Sequence, residues 1–361
     1  VNLPGGLELR IGPRLSAGPV AAVAGPFLSA AFGVAGALLV LRLFGWDPGV
    51  AARELALGAF GDSFALAGTL LKAIPLALCG AGLCLAYTAG VWNIGAEGQL
   101  QIGAMAATWF ALSHPSAPAI MALPAMGLLA LLGGGAWALV AGLLRVAVGA
   151  NEIIVTLMLN YVAGYLVDAL VHGPWRDPAT HGFPFTPFFG DGAALPVLFW
   201  GKVHLGVLLA PAAAVGAWWG VARTRFGFRL RVVGRSERAG RHAGIDQRRV
   251  ILSVMALSGA LAGLAGMAEV AGIHHRLQPD FSLGYGFTAI IVAWLARLNP
   301  LAVVPVAVLM GGLLTGGELL QISMKIPSAM VQIIQGLVLV AVLGGEFLRT
   351  WRVSVRRRGH A

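Results

Sequence analysis

Two stretches of this sequence place amides and carboxylates among apolar residues. In Asn93-Ile94-Gly95-Ala96-Glu97-Gly98-Gln99-Leu100-Gln101, the residues Asn93, Glu97 and Gln101 recur every four positions. In a helix that spacing sets them on one face. The second stretch opens at Asn151-Glu152, and Glu152, Thr156 and Asn160 repeat by the same four, with Tyr161 directly after. A carboxylate at the centre of a membrane helix costs about 2.5–3.5 kcal/mol, so such residues need a role. One role is structural: the side chains tie broken helices together and satisfy backbone groups freed around Gly95 and Gly98. The other is a shared polar path. Amides both donate and accept hydrogen bonds, which suits a neutral solute such as a sugar or nucleoside. An ion pore would instead carry rings of charge or a carbonyl filter. The candidate pathway residues are Asn93, Glu97, Gln99, Gln101, Asn151, Glu152, Thr156, Asn160 and Tyr161.

The elements that must position these residues follow from composition. The chain has 361 residues, 58% hydrophobic and 11% charged, with a mean hydropathy of +0.82. A soluble domain carries about 25% charged residues, so lipid must replace water around most of this one. Reading for apolar runs long enough to cross a bilayer gives stretches near 19–43, 64–89, 94–112, 119–144, 152–172, 203–222, 250–273, 284–297, 300–320 and 327–348. The expected fold is therefore all-α, a polytopic transmembrane helical bundle of about ten spans, some broken or short. The third stretch is interrupted by polar residues and the eighth is short. The first run is too long for a cleaved leader and reads as a retained span. Gly259-x-x-x-Gly263 followed by Gly266 reads as a helix contact face.

Orientation follows from the basic residues. With ten spans, both ends and every second loop share one side. That side holds Arg10, Arg14, Arg145, nine arginines from Arg223 to Arg249, Arg297, and five from Arg349 to Arg358. These are most of the 25 lysines and arginines, and basic residues mark the cytoplasmic side. The expected organisation is a cytoplasmic segment at 1–18, a membrane domain at 19–348 and a basic cytoplasmic tail at 349–361. Within the membrane domain, the loop at 173–202 is Pro- and Phe-rich and lies outside; it is either a lid on the helices or a docking surface for a partner protein. The net charge of +10 is thus accounted for by membrane orientation, without nucleic acid.

The loop at 223–249 sets nine arginines against only Glu237 and Asp246. Anchoring to lipid headgroups accounts for the charge but not for the pattern inside it. Ser236 to Gly244 reads as a short helix ending at a glycine cap, which could seat in a groove of another protein.

Elsewhere the readings are structural. Cys79 and Cys84 are small core residues. Glu269, Arg276, Glu318 and Lys325 read as interfacial or snorkelling groups, and Lys72 as reaching outward along its helix. His274-His275 lacks the spaced partners of a metal site, so no metal is expected.

The loop and the two polar stretches together resemble one family. Gly227-Phe228-Arg229-Leu230-Arg231-Val232-Val233-Gly234, followed by Ala239, Ala243, Gly244 and Ile245, is similar to the coupling loop of ATP-binding-cassette importer permeases of the ribose and branched-chain amino acid class. Ser236-Glu237 stands where that family commonly has an Asn-Pro type pair. Asn93 to Gln99 resembles a hallmark of the same class. Gly149 to Tyr161 is similar to the longer of two paralogous permeases in nucleoside-type importers, as is Gly284-Tyr285-Gly286-Phe287-Thr288-Ala289-Ile290 ending in Asn299-Pro300-Leu301. The resemblance spans roughly residues 60–348. It implies a permease in a bacterial inner membrane that alternates between outward- and inward-facing states. It further implies an ATPase subunit seated on Arg231, Gly234, Arg235, Glu237, Arg238, Ala239 and Gly244, and a second, shorter permease making a heterodimer. A solute-binding lipoprotein or periplasmic protein would deliver the solute. No cofactor is expected in this chain, since it has no Gly-x-x-x-x-Gly-Lys-Ser/Thr loop; ATP and magnesium would be held by the ATPase.

Two other classes compete. A secondary transporter or channel working alone is compatible with broken helices and polar stripes, but does not predict a coupling-like loop. A membrane enzyme acting on lipids has no visible catalytic constellation.

Overall fold

The computed structural model describes residues 2–3, 7–13, 19–180 and 182–357. Arg14 and Arg358, part of the expected basic termini, lie outside them. Helices dominate: α1 (Pro19–Leu43), α2 (Pro48–Phe60), α3 (Ser63–Thr88), α4 (Ala96–Ser113), α5 (Ala119–Val148), α6 (Glu152–His172), α7 (Gly206–Arg223), α8 (Arg225–Arg235), α9 (Glu237–His242), α10 (Gln247–Glu269), α11 (Tyr285–Leu295), α12 (Pro300–Ser323) and α13 (Ser328–Thr350). A π-turn at Val270–His274 continues α10.

Each of the ten apolar stretches is helical. Six helices among the described residues are long and apolar enough to cross a membrane: α3, α5, α6, α7, α10 with its π-turn, and α12. Ala31–Leu43 and α11 are shorter apolar helices. The stretch expected to begin at 203 enters its helix only at Gly206, because Val203 and His204 form a strand before it.

The chain divides into two compact units. In the first, comprising 1–58 and 316–361, α1 packs along α13. Strand β2 (Leu7–Pro13) pairs antiparallel with β5 (Trp351–Arg357), and β1 (Asn2–Leu3) adds to β2. Composition gave no sign of this sheet.

The second unit, 59–315, is built around α10, which packs against α3, α4 and α5. Small residues make that possible. A side-chain carbon on Gly259 would strike the Gly134 carbonyl oxygen; on Gly263 it would strike those of Ala130, and on Gly266 that of Leu100. Gly103 of α4 meets Gly263 in the same way. Such backbone-to-backbone approach is how helices associate in lipid, where no hydrophobic driving force separates them from the solvent. The expected Gly259/Gly263/Gly266 face is this contact.

Cys79 and Cys84 lie fully buried and unbonded in α3, the helix with 83% of its apolar window inside the protein. In α6 and α7 that share is 22%, and their outward residues include Ile154, Tyr165, Leu208, Val215 and Trp219. In lipid this is the expected distribution, since apolar side chains face the bilayer as readily as the core.

The loop at 173–202 is laid along the turn after α10. Thr186 N–H donates to the Leu277 carbonyl at 3.1 Å, Phe189 N–H to that of His275 at 2.8 Å, and Leu195 N–H to that of Ala271 at 2.9 Å. The Arg276 guanidinium lies over the Phe185 ring at 3.9 Å and near the Phe188 ring at 4.7 Å. Strands β3 (Val197–Phe199) and β4 (Val203–His204) then form a hairpin leading into α7.

Candidate functional site

The polar residues singled out in the sequence meet around a break between α3 and α4. Helix α3 stops at Thr88, Gly90 takes φ +73°, and helical structure resumes only at Ala96. Asn93 therefore lies before the helix and does not share a face with Glu97 and Gln101. Its amide turns instead to Gln99: Asn93 Nδ2 donates to Gln99 Oε1 and Gln99 Nε2 donates back to Asn93 Oδ1, each at 2.9 Å. Asn93 Nδ2 also reaches Ser258 Oγ on α10 at 3.0 Å, and Asn93 Oδ1 accepts the Gly95 N–H at 2.9 Å. Both side chains are about 1% exposed or less.

Helix α6 closes the other side. Asn160 Oδ1 accepts the Gly98 N–H at 2.8 Å, while its Nδ2 donates to the Ile94 carbonyl at 2.9 Å. Thr156 Oγ1 accepts the Ile94 N–H at 3.2 Å and donates to the Glu152 carbonyl at 2.6 Å. Glu152 is ion-paired with Arg145 and accepts the Trp92 N–H at 3.3 Å. The i, i+4 repeat on α6 thus aims three residues at one loop. A broken helix in a membrane leaves donors and acceptors that water cannot satisfy; these side chains satisfy them.

Glu97 lies in the first turn of α4 and is 5% exposed. Its Oε2 accepts the Gly286 N–H at 2.7 Å, at the start of α11. The N–H groups at a helix start lack intrahelical partners and favour a negative charge. Gly286 leaves no room for a side chain here, since a carbon on it would strike the Glu97 backbone.

The remaining pathway candidates differ. Asn151 is exposed and caps α6 through the Ile153 N–H at 2.9 Å. Tyr161 is 60% exposed. Gln101 Oε1 is buried on α4 beside α6, with no hydrogen-bond partner among the described residues.

Sequence reasoning missed the aromatic group beside the break. Tyr87, Trp92 and Trp294 form a triangle with ring centroids 5.5 to 5.8 Å apart, and the Tyr87 hydroxyl donates to the Asn93 carbonyl at 2.9 Å. Trp92 remains 44% exposed. Ser258, Arg145 and Gly286 were missed as partners too. Ser258 lies far along the chain from Asn93, Gly286 acts through its backbone, and Arg145 sits on the helix before Glu152 with a glycine turn between them.

Two charged residues are corrected. Lys72 does not reach outward: its Nζ is buried. Glu269 is 2% exposed and lies 3.9 Å from His274; the loop at 173–202 is bonded along the turn that follows it, and the buried carboxylate does not snorkel.

The basic loop contacts the same break. Thr224 caps α8 through the Gly227 N–H at 3.2 Å, and Ser236 caps α9 through the Ala239 N–H at 3.2 Å. Helix α9 ends in the expected glycine cap: Gly244 takes φ +68° and the Ile245 N–H returns to the Gly240 carbonyl at 3.0 Å. Glu237 opens α9. Arg235, Arg238, Ala239 and Gly244 are exposed, while Arg231 donates inward to the Val221 carbonyl. At the end of α8, Gly234 fits against the Thr88 carbonyl oxygen with no space for a side chain, and lies against Gly90. The end of the arginine-rich α8 therefore rests on the break itself.

Comparison with known sequences identifies the family. Residues 65–343 match the family described as branched-chain amino acid transport system / permease component. A glucose ABC transporter permease protein of Haloferax volcanii is 37% identical over 98% of this chain and 96% of that protein. A guanosine ABC transporter permease protein of Bacillus subtilis is 30% identical over 92% and 97%. A nucleoside ABC transporter permease protein of Lactococcus lactis is 27% identical over 81% and 82%.

Proposed function

The chain belongs to the permease family of branched-chain amino acid transport systems, and from that premise we propose that it forms the path for a nucleoside or a simple sugar. It is a multi-pass membrane permease of an ABC transporter and not an enzyme; ATP hydrolysis belongs to separate ATPase subunits. Relatives named for guanosine, nucleosides and glucose support a neutral, hydrogen-bonding solute.

One observation carries the mechanism: the end of α8 fits directly against the α3–α4 break at Thr88 and Gly90. ATP-driven closure of an ATPase seated on Arg235, Arg238, Ala239 and Gly244 would press on α8 and α9. Glu237 completes that seat, while Arg231 and Gly234, turned inward, would hold α8 against the break. The push would reach a loop whose hydrogen bonds run to α6, α10 and α11 through Asn160, Asn93 and Glu97. In this reading Asn93, Glu97, Gln99, Glu152, Thr156 and Asn160 shape the pathway by holding its broken helices. In the same reading the solute is met by Asn151, Tyr161 and the exposed ring of Trp92, with Gln101 as a partly buried contact. An aromatic face suits a nucleobase or the apolar face of a sugar.

The wider assembly is part of the proposal: a second permease, a solute-binding lipoprotein or periplasmic protein, and ATP with magnesium held on the ATPase. So is a ten-span topology in an inner membrane with both ends cytoplasmic. Pairing of β2 with β5 supports it, because strands flanking the first and last membrane helices can pair only on one side of the bilayer. The basic loop at 223–249 follows α7 and the hairpin precedes it, which supports reading the loop at 173–202 as the outer one.

Replacing Arg235 by Glu and Gly244 by Val tests the coupling. ATPase co-purification and solute uptake should both fall. Wild-type assembly and uptake in both variants would remove the loop from this role, and ATP-independent flux through the purified chain in liposomes would favour a stand-alone transporter.

A further inference from the structure

We propose that the β3–β4 hairpin is a membrane anchor that inserts its tip into the interfacial layer of the outer leaflet. This rests on the membrane-spanning reading but not on the solute or on coupling.

The hairpin is fixed at its base and unsupported at its tip. Leu195 is 3% exposed and its N–H is bonded to the Ala271 carbonyl; Val203 and His204 are buried. The Leu205 N–H closes the base on the Pro196 carbonyl at 3.0 Å. Between these ends, Val197, Leu198, Phe199 and Trp200 are 39–53% exposed. They are four consecutive apolar residues, including two large rings.

The turn geometry holds them outward. Trp200 takes φ +49° and Gly201 φ +67°, the paired left-handed conformation of a tight hairpin turn. A tryptophan is an uncommon occupant of that conformation, and about half of its surface stays open.

What lies beside the tip points to lipid. Lys202 Nζ stands 3.6 Å from the centroid of the Phe64 ring, at the start of α3. Phe64 is 67% exposed, and Leu208, in the first turn of α7, is 55% exposed. Both α3 and α7 are long enough to span the membrane and pack side by side. The apolar tip therefore continues the lipid-facing surface at the outer ends of two neighbouring spans. Aromatic residues with a lysine at the end of a span are the usual composition of the headgroup layer, where ring and ammonium each find a suitable phase. From 192 to 222 the chain has no acidic residue, so nothing there resists contact with the layer.

The anchor is tested with the full chain in phosphatidylethanolamine–phosphatidylglycerol vesicles, alone and with its co-purified subunits. A nitroxide is attached at Phe199→Cys; Cys79 and Cys84 have no exposed surface to compete. Collision with oxygen should exceed collision with an aqueous nickel chelate several-fold, while the same label at Asp191→Cys, an exposed position, should show the reverse. Preferential collision with the chelate at 199 would overturn the proposal in favour of a water-exposed hairpin. Protection from both reagents would overturn it in favour of a protein partner. As a check without the label, Trp200→Phe should remove an emission component quenched by lipids brominated near the headgroup; an unchanged quenching profile would count equally against it.

Discussion

The Glu97 carboxylate accepts the Gly286 N–H at 2.7 Å across 189 residues of sequence, joining the restart of one broken helix to the start of another. N–H groups at the start of α11 would otherwise face a nearly dry interior. Glu97→Ala should therefore lower the unfolding temperature and reduce uptake, with a stability loss of about 1–3 kcal/mol for the unpaired donors. Glu97→Gln keeps an acceptor and should lose less. Thermal unfolding in detergent beside uptake in vesicles checks both, and equal behaviour of the two variants would deny the carboxylate this capping role.

Asn160 performs two tasks with one side chain, accepting from Gly98 and donating to Ile94. Asn160→Leu preserves volume but abandons both backbone groups, and should destabilise by roughly 2–4 kcal/mol, about one to two kcal/mol for each group left unpaired. Amide exchange at Gly98 should rise in parallel. Wild-type protection there would show that the α3–α4 break does not depend on α6.

Gly263 and Gly216 make a paired test of helix contact. A methyl on Gly263 would strike the Ala130 carbonyl, whereas nothing lies within 4 Å of one on Gly216. Gly263→Ala should reduce the yield of folded protein sharply, and Gly216→Ala should leave it unchanged or slightly improved, since alanine is the better helix former. Detergent-soluble yield by size exclusion separates them.

His204 supplies a pH dependence. The ring is 1% exposed and lies against Gly206 and Gly272. Burial, with the nearby His275 adding to it, lowers its pKa from 6.5 to about 4. The unfolded chain takes up this proton below about pH 6.5, and the folded chain refuses it until about pH 4. The stability tied to the neutral ring is therefore complete above pH 6.5 and declines on acidification through pH 4, by on the order of 3 kcal/mol. Unfolding temperature between pH 7.5 and 4.5 should fall less steeply in His204→Gln than in the parent. Identical slopes would assign the effect to other groups.

Each of the ten stretches picked by hydropathy holds a helix, six of them long and apolar enough to span, because lipid imposes length and polarity on them; α2 was not among them. The glycine face of α10 was also legible, since three small residues at helical spacing admit few other uses. The polar break was legible only as composition. The four-residue spacing correctly gathered Glu152, Thr156 and Asn160, which lie on one intact helix. It misplaced Asn93, because the helix it assumed does not exist before Ala96. Asn93's partner Ser258 is 165 positions away, a pairing that depends on how α10 crosses α4. Lys72 and Glu269 were expected at the surface because their charge favours water; the packing that buries them could not be inferred from either residue. The sheet formed by β2 and β5 depends on ends of the chain meeting in space.

The glycine contacts among α4, α5 and α10 limit where this molecule can bend. At Gly103, Gly134, Gly259 and Gly263 main chain is pressed on main chain with no long side chain between to re-pack into a second arrangement, and a closely packed contact tends to persist or part rather than stretch. These helices should travel as one plank, leaving angular change to the seams at its ends: the gap before Ala96, the π-turn after Glu269 and the corner before Pro300.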